Sequence, residues 1–294
     1  MLTGRHRQLT NPAFYLKWSR AAIRPLRAAA RRNAAEPATD FEAPRRVDVY
    51  LAHPDDETFC SGLLCELVAR GAEVRLNCLT RGEGGLIGGH RRADLASVRE
   101  TEMRDAALAL GAAAVDFLGF VDPAPRRFRL YPPRVSERDL AALIARRLCR
   151  SGPDWVITHG SSGEYWHPAH ILLHRAVGRA WASLRSPRHS EGGREPAFVT
   201  FNAWHEDSTI PRLLNRDDVP TLRLDVSAHA ARRMRMMTAH ATQAALLQSW
   251  AGSFERYVEQ ANPEYYCIRS QVKSRWLLGP ALADGRVRTT GKPM

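Results

Sequence analysis

The chain has 294 residues, of which 44% are hydrophobic, and a formal net charge of +12 at pH 7. This is enough apolar material for one sizeable core. No apolar stretch approaches the roughly 18 residues of a membrane-spanning helix, and no secretory apolar region is present. The composition therefore excludes a membrane-spanning protein and predicts a cytoplasmic one.

The excess positive charge is concentrated in a predicted basic N-terminal extension, residues 1–45. Its first 35 residues contain seven Arg, one Lys and no acidic residue. Aromatic and aliphatic groups are interspersed with arginines between Phe14 and Arg32, which is typical of a helix lying on an anionic membrane surface. Three other interpretations of this segment remain open. It could be a transit peptide, an arm that binds nucleic acid, or an extension that packs on the next domain or is partly disordered. Pro25 would interrupt a helix here, and the rest of the chain has no recognisable nucleic-acid motif.

The first predicted strand, Val47–Leu51, is followed by a cluster of polar residues, His53, Asp55, Asp56 and Glu57. In open α/β sheets, ligands bind at the carboxyl ends of strands, so this cluster is predicted to lie where chemistry is done. Imidazole and carboxylate together suit zinc, and a spare carboxylate could accept a proton from water on the metal. Capping of the following helix would explain one of the aspartates, but not the histidine.

A glycine-rich loop follows the second predicted strand, Glu73–Thr80. Gly82–His90 lies between a strand and a helix, as a phosphate-binding loop does. It lacks the G-x-G-x-x-G spacing, however, and carries Glu83 where a phosphate would bind. The sequence therefore favours a flexible loop at the rim of a pocket.

Short apolar strands and amphipathic helices alternate over most of the chain. The further predicted helices are Arg92–Leu110, Glu137–Cys149, Pro168–Leu184 and Ala228–Trp250, and the further strands are Val115–Leu118, Asp154–Thr158, Phe198–Ala203 and Leu222–Val226. This alternation predicts a single Rossmann-like α/β domain, residues 46–280, with a mostly parallel sheet flanked by helices. The polar and basic residues 281–294 are predicted to be a frayed tail.

A second polar cluster follows the fourth predicted strand. It ends in His167 and His170, which lie three residues apart at the predicted start of a helix and can face the same side. A catalytic zinc site needs three protein ligands and an open position. His53, one aspartate of the first cluster and one histidine of the second would supply these ligands. His159 and His174 are predicted to support the site or the fold instead.

The five cysteines include no CxxC pair. Several occupy apolar positions of predicted helices or strands, which predicts reduced and buried thiols. The five residues are Cys60, Cys65, Cys78, Cys149 and Cys267.

Two segments carry a specific pattern, Ala52–Glu57 with the sequence AHPDDE and Glu164–His170 with the sequence EYWHPAH. Weaker matches are Thr80–Gly85, the pair Arg99 and Glu102, Leu118–Asp122, and Ala239–Gln243, a looser form of a His-x-Ser-Gln element. With these motifs, residues 46–250 or so resemble the LmbE-like or PIG-L family of zinc-dependent N-deacetylases. Members of that family remove an acetyl group from an N-acetylated amino sugar, often one that is part of a larger conjugate.

The resemblance implies that His53, Asp56 and His170 bind the metal and that Asp55 is the general base. Zinc is the expected ion, and other divalent transition metals such as iron, cobalt and nickel are compatible with this ligand set. The expected partner is an N-acetylated amino sugar or its conjugate.

The resemblance also implies further catalytic and substrate-binding residues. His167 would act as general acid or polarise the oxyanion, and Tyr165 would help to stabilise that oxyanion. Glu83, Arg99 and Asp122 match positions that bind the sugar.

One position departs from the family's pattern, because Ala169 stands where an aspartate is frequent. That aspartate would orient and charge-stabilise the neighbouring His167. Glu164 or Asp154 is a candidate to replace it, and without such a partner the acid role of His167 is weakened.

Two alternatives to an acetyl-sugar hydrolase remain open from the sequence. An amidase that cuts a longer acyl group or a conjugate would have an apolar pocket near Trp166. A non-enzymatic protein that binds membranes or nucleic acid through its basic arm would have a vestigial metal site. Asp55 beside a complete ligand set argues against the second alternative, because a vestigial site has no need of a base.

Overall fold

The computed structural model describes residues 36–85, 90–126, 129–184, 196–208, 214–270 and 277–278. Residues 1–35, which carry most of the basic charge of the predicted extension, and the predicted tail, residues 281–294, lie outside the described residues. Within the described part, the helices are all too short or too polar to cross a bilayer.

Nine strands occur in the described residues. They are β1 (Asp40–Phe41), β2 (Arg46–Leu51), β3 (Glu73–Thr80), β4 (Ala114–Phe120), β5 (Trp155–Thr158), β6 (Ala197–Phe201), β7 (Leu222–Leu224), β8 (Glu264–Arg269) and β9 (Leu277–Leu278). Seven of them form a sheet in the order β4-β3-β2-β5-β6-β8-β7, and β1 pairs with β9. Strands β2 to β6 are parallel, and β8 runs antiparallel to β6 and β7. The prediction of a mostly parallel sheet is confirmed.

Helices cover both faces of this sheet. They are α1 (Ser61–Ala69), α2 (Leu95–Leu110), α3 (Glu137–Ser151), α4 (Pro168–Leu184), α5 (Ala230–Ala239), α6 (Ala244–Ala251) and α7 (Phe254–Gln260). On one face, α3 and α4 pack together over the strands in a buried cluster that includes Tyr50, Val156 and Phe198. On the other face, α1, α2 and α5 form a second core with Val49 and Leu51. The predicted α/β fold, with helices on both sides of the sheet, is confirmed.

The strand order places a crevice at the carboxyl ends of β2 and β5. These strands are direct neighbours, with Val47 opposite Trp155 and Tyr50 opposite Thr158. From β2 the chain continues outward to β3 and β4, and it then crosses to β5 and β6 on the other side. Such a reversal of strand order is where open α/β sheets bind their ligands. The two polar clusters of the sequence follow these two strands.

The predicted helix Ala228–Trp250 is wrong as a single element. The chain forms α5, leaves helical geometry at His240 with ψ of 62°, and resumes as α6 after a 3₁₀ turn, Ala241–Gln243. The backbone N–H of Thr242 donates to the Glu102 side chain on α2 at 2.7 Å, and not to a carbonyl of the preceding helical turn. A long-range polar contact therefore overrides the local helical pattern.

None of the five cysteines, all of which lie in the described residues, forms a disulfide. Four are buried, as predicted, and Cys149 near the end of α3 is exposed. The buried thiols act as small apolar groups, as Cys60 and Cys65 do in the core beside α1.

Candidate active site and metal centre

The carboxyl ends of β2 and β5 bring the two polar clusters together. His53 and Asp56 follow β2, and His170 lies in the first turn of α4, which follows β5. Nε2 of His170 lies 3.3 Å from Nδ1 of His53, and each Asp56 oxygen lies 3.3 Å from one of these nitrogens. A tetrahedral ion with bonds of about 2.0–2.1 Å holds its ligand atoms about 3.3 Å apart. The two imidazole nitrogens are therefore spaced like ligands of one ion, and the Asp56 carboxylate lies next to both, with Oδ2 facing His53 and Oδ1 facing His170.

Both histidines have a carboxylate behind the ring nitrogen that faces away from this triangle. Nδ1 of His170 lies 2.6 Å from Glu164 Oε2, and Nε2 of His53 lies 3.5 Å from Asp122 Oδ1. The hydrogen bond to Glu164 fixes the His170 tautomer that leaves Nε2 free for a metal. Nε2 of His53 has Asp122 as its nearest carboxylate but no hydrogen-bond partner among the described residues. Burial lowers the pKa of His53, but Asp122 and Asp56 outweigh it and raise that pKa to about 10. The cluster therefore favours positive charge at its centre.

Glu164 is fixed by its backbone and by a second set of contacts. It lies in an irregular turn, Gly163–Trp166, with a left-handed φ of 59°. Its Oε1 accepts a hydrogen bond from Asn215 Nδ2 at 2.9 Å. Burial raises the pKa of Glu164, but His159 and His170 outweigh it and lower that pKa to about 2. The carboxylate is thus ionised and held in place behind His170.

Asp55 and Asp56 are adjacent in the chain but face different surroundings. His53, Asp56 and His170, with Glu164 and Asp122, form what we call the ligand side; Asp55, with Glu57, Arg99 and His240, forms the base side. Burial would raise the pKa of Asp56, but the neighbouring histidines, first among them His170, hold it well below its usual range. Burial raises the pKa of Asp55 to about 6, although the Arg99 guanidinium opposes this.

Asp55 itself is held by its backbone and its side chain. Its φ of 101° is left-handed, a conformation that costs a non-glycine residue about 1–3 kcal/mol. Its N–H donates to Glu57 Oε2 at 3.2 Å, and its carbonyl accepts the Thr58 hydroxyl at 2.7 Å. Its Oδ1 lies 3.2 Å from Nη2 of Arg99. Glu57 is in turn bonded to the fully buried His240, so the base side is a connected polar network.

His167 packs beside the ligand side, with its ring centroid 4.7 Å from that of His53. Its Nδ1 accepts the backbone N–H of Ala169 at 3.3 Å. Because a backbone N–H can only donate, the proton of the neutral ring lies on Nε2. Burial and the neighbouring His170 lower the pKa of His167 well below its ordinary value. The ring is therefore a neutral hydrogen-bond donor.

The prediction that Glu164 or Asp154 replaces the missing aspartate beside His167 is wrong. Glu164 is bonded to His170 and His159. Asp154 accepts two backbone N–H groups at the start of β2, at 2.8 and 3.1 Å. Each carboxylate is engaged elsewhere, because it makes hydrogen bonds with groups that would otherwise be unpaired.

His159 and His174 are arranged as supports. Asp56, His159 and His170 could also form a metal-binding trio, with ligand atoms within 4.8 Å of one another, and so could His53, His167 and His170. Nε2 of His159, however, accepts the backbone N–H of Ala52 at 3.1 Å, which uses its lone pair. Nδ1 of His174 lies 2.8 Å from the His159 carbonyl. These contacts support the prediction that both histidines are structural.

Aromatic side chains line one side of the site. The Tyr165 ring lies 5.5 Å from that of His170 and 6.5 Å from that of Trp250, centroid to centroid. Phe59 stacks on Trp250 at 5.4 Å. Trp166, the next residue after Tyr165, has a left-handed φ of 63° and is 38% exposed. The site thus combines a polar centre with an apolar wall.

The three residues expected to bind the sugar lie together, but two of them are deep in the site. Arg99 is 2% exposed and Asp122 is 8% exposed. Arg99 contacts Asp55, and Asp122 contacts His53. Glu83 is half-buried, and its Oε2 accepts the backbone N–H of Asp122 at 3.1 Å.

Sequence reasoning missed the partners that come from distant loops. Asn215 is fully buried behind Glu164, yet no motif surrounds it. Glu57 and His240 were both within recognised elements, but their pairing across 183 positions left no local signal. These contacts depend on the folded arrangement of distant segments, so no local sequence pattern indicates them.

Comparison with known proteins agrees with this geometry. The family model described as PIG-L: GlcNAc-PI de-N-acetylase matches residues 49–181. A 1D-myo-inositol 2-acetamido-2-deoxy-α-D-glucopyranoside deacetylase from Mycolicibacterium gilvum (strain PYR-GCK) is 31% identical over 267 residues, which cover 78% of this chain and 92% of the relative. A relative of the same name from Nakamurella multipartita is 32% identical, with coverage of 81% and 93%.

Solved structures share the fold at low identity. The A40926 pseudoaglycone deacetylase Dbv21 superposes with a TM-score of 0.57 at 17% identity, covering 81% of this chain and 100% of that one. The N,N'-diacetylchitobiose deacetylase from Pyrococcus horikoshii gives 0.53 at 17% identity, covering 77% and 83%. The 4-carboxy-2-hydroxymuconate hydratase GalB from Pseudomonas putida KT2440 gives 0.55 at 18% identity, covering 77% and 96%. Because deacetylases and a hydratase share this fold, the fold alone does not select the reaction.

Proposed function

The chain belongs to the PIG-L family, and on that premise we propose that it is a metal-dependent hydrolase that removes the N-acetyl group from an N-acetylated amino sugar or its conjugate. The observation that carries the proposal is that His53 Nδ1 and His170 Nε2 lie 3.3 Å apart, each 3.3 Å from one oxygen of Asp56, next to the separately held Asp55. The names of the relatives make N-acetylglucosamine joined to inositol the first substrate to test.

Zinc is the metal we propose, held by His53, Asp56 and His170. Two imidazole nitrogens and a carboxylate form a normal zinc ligand set, and iron, cobalt or nickel would also be accommodated. A zinc ion bound there would lower the pKa of a water molecule to about 7 and polarise the amide carbonyl.

Asp55 acts on protons in this mechanism. Its carboxylate takes a proton from the attacking water as the C–O bond forms. Because His167 is a neutral donor, the protonated Asp55 is the group that then gives its proton to the leaving amine. The C–N bond breaks, and acetate and a free amino sugar are released.

His167 and Tyr165 act on the developing oxyanion. The Nε2–H group of His167 and the Tyr165 hydroxyl donate hydrogen bonds as negative charge grows on the carbonyl oxygen. One such donor contributes roughly 3–4 kcal/mol to the transition state in comparable sites. Glu83, half-buried at the edge of the site, is the residue we propose for contact with sugar hydroxyls.

Hydrolysis of a longer acyl group is the second candidate, favoured by the aromatic wall. Trp166, which follows Tyr165 in the chain, is exposed, and the rings of Tyr165 and Trp250 lie near each other at the site. Such a surface would accommodate an alkyl chain or an apolar aglycone.

We further propose a cytoplasmic location, with peripheral contact to an anionic membrane through the basic arm. The support is composition alone: eight basic residues and no acid in residues 1–35. Co-sedimentation with phosphatidylserine vesicles, comparing the full chain with a chain lacking residues 1–35, tests this. Equal sedimentation of both chains would contradict it.

The activity is tested by measuring the carboxylic acid that the metal-loaded protein releases from N-acylated substrates. The substrates are N-acetylglucosaminyl-inositol and its N-butanoyl and N-octanoyl analogues, with chelator-treated protein as control. We expect acetate release that stops on chelation and returns with zinc. Faster release of octanoate would favour the second candidate, and protein with one zinc per chain that releases no acid from any of them would contradict both.

A further inference from the structure

Arg99 is held by three polar contacts of its two terminal guanidinium nitrogens. Its Nη2 lies 3.2 Å from Asp55 Oδ1 and donates to the carbonyl of Pro54, and its Nη1 donates to the carbonyl of Gly82 at 3.0 Å. Its Nε is buried and has no hydrogen-bond partner among the described residues. A planar fork of donors that is fully enclosed in this way sets the position of the groups it binds.

The helix that carries Arg99 is tied to the base side a second time. Glu102, one turn further along α2, accepts the N–H and the hydroxyl of Thr242 at 2.7 and 2.6 Å. Thr242 follows His240, the base-side residue bonded to Glu57. Helix α2 is therefore connected to Asp55 in two ways. Arg99 contacts it directly, and Glu102 is linked to it indirectly through Thr242, His240 and Glu57.

The glycine-rich loop forms a cradle for the same guanidinium. A Cβ atom at Gly85 would lie 2.2 Å from Arg99 Nη1, and one at Gly82 would lie 2.4 Å from it. A Cβ at Gly84 would lie 2.7 Å from Asp122 Oδ2. Real contacts of Cβ atoms are longer than 3.0 Å, so any side chain at these positions would displace its neighbour.

We propose that Arg99 is a positioning residue that orients Asp55, and that Gly85 is a glycine because a Cβ atom there would collide with the Arg99 guanidinium. Gly82 is near the same guanidinium, but its left-handed φ of 72° already favours glycine. This inference rests on the proposed hydrolase function, in which Asp55 moves the protons. It departs from the sugar-binding role that the family resemblance implies for Arg99. It also gives the described part of the glycine-rich loop a purpose other than phosphate binding.

Four variants test the inference: Arg99→Ala, Arg99→Lys, Gly85→Ala and the control Gly178→Ala. At Gly178 on α4, a Cβ meets only Phe198 Cζ at 3.7 Å, an ordinary contact. For each variant we would measure metal content, kcat and KM, and for Arg99→Ala the rescue of activity by added guanidinium. A crystal structure of Gly85→Ala and Arg99→Ala would locate the Asp55 carboxylate.

A positioning role lowers kcat and leaves KM and metal content nearly unchanged. We expect kcat to fall about 10–100-fold in Arg99→Ala and Gly85→Ala, as it does when outer partners of catalytic groups are removed. Guanidinium should restore part of the activity of Arg99→Ala, Arg99→Lys should lose less than Arg99→Ala, and Gly178→Ala should behave as wild type. A rise in KM with kcat retained would assign Arg99 to the sugar and overturn the proposal.

Failure of the proposed function would be distinguishable from failure of this inference. Wild-type protein that binds metal but hydrolyses no substrate would refute the function alone. The crystal structures would still decide the positioning role, because Asp55 should shift or lose order in both variants. An Asp55 carboxylate unmoved in Arg99→Ala would overturn the inference whatever the activity.

Discussion

The ligand side and the base side begin at adjacent residues and differ in their charge partners. Asp56 faces imidazoles, and these keep the pKa of its carboxyl well below the ordinary range although burial acts against them. Asp55 faces one guanidinium, and burial prevails there, so that its pKa rises to about 6. The left-handed φ of 101° at Asp55 lets the two carboxylates enter separate surroundings. One short motif thereby supplies the two carboxylates that we propose as metal ligand and proton acceptor.

The two sides are also supported differently. On the ligand side, each histidine has a carboxylate behind it, Glu164 or Asp122. On the base side, the support is Arg99 and the backbone contact to Glu57. Changes on the ligand side should therefore act first on metal affinity, and changes on the base side should act on the rate with metal bound.

The largest effect is expected from His170→Ala on the ligand side. Loss of one of three protein ligands should reduce metal from about one ion per chain to near zero and bring acetate release below detection. Elemental analysis after gel filtration measures this directly. His229→Ala, which alters a histidine paired with Glu66 on α1, is the control and should keep its metal. Retention of a full ion by His170→Ala would refute the ligand set.

His167→Ala should lower kcat about 10²–10³-fold while leaving metal content unchanged. The physical reason is the loss of one neutral hydrogen-bond donor to the oxyanion. Steady-state kinetics with metal analysis on the same preparation provide the measurement. Loss of metal would instead favour the alternative trio of His53, His167 and His170.

Glu164→Gln should weaken metal binding about 10–100-fold, because the charge that fixes the His170 tautomer is removed. Titration against a competing chelator gives the affinity, and kcat at saturating metal should change much less. Glu137→Gln, an exchange of a half-buried carboxylate at the start of α3, serves as the matched control. If metal affinity is equal in both variants, the carboxylate behind His170 has no effect on the ligand side.

The smallest effect is expected from Trp166→Gly at the rim of the site. Glycine adopts a φ near 63° without strain, so the free energy of unfolding of Trp166→Gly should exceed that of Trp166→Ala by about 1 kcal/mol. Loss of the aromatic surface should raise KM for a conjugated substrate about 2–10-fold. Trp166→Ala separates the two effects, since it removes the ring but keeps the left-handed strain. If denaturant unfolding shows Trp166→Gly to be no more stable than Trp166→Ala, the strain argument is contradicted.

The elements with strong local patterns were predictable from the sequence. The bounds of β3, Glu73–Thr80, and of α4, Pro168–Leu184, agree with the predictions, because a buried strand and a proline-initiated amphipathic helix both leave periodic signals. The meeting of the two polar clusters was also predictable, since both follow strands that end at the same edge of the sheet.

What the sequence could not reveal depends on contacts between distant segments. The break in the predicted helix at His240 arises from Glu102, 140 positions away from Thr242. The engagement of Glu164 with His170 instead of His167 arises from the irregular turn in which Glu164 lies. The enclosure of Arg99 depends on glycines of another loop, so its sequence position alone suggested a ligand contact.

The most direct test of separate ligand and base sides is a side-by-side measurement of metal content and acetate release for Asp55→Asn and Asp56→Asn. Both exchanges are nearly isosteric, and they lie at neighbouring positions. We expect Asp55→Asn to keep about one metal ion per chain and to lose activity about 10²–10⁴-fold, and Asp56→Asn to lose both metal and activity. Loss of metal from Asp55→Asn, or full activity in that variant, would contradict the assignment of the base.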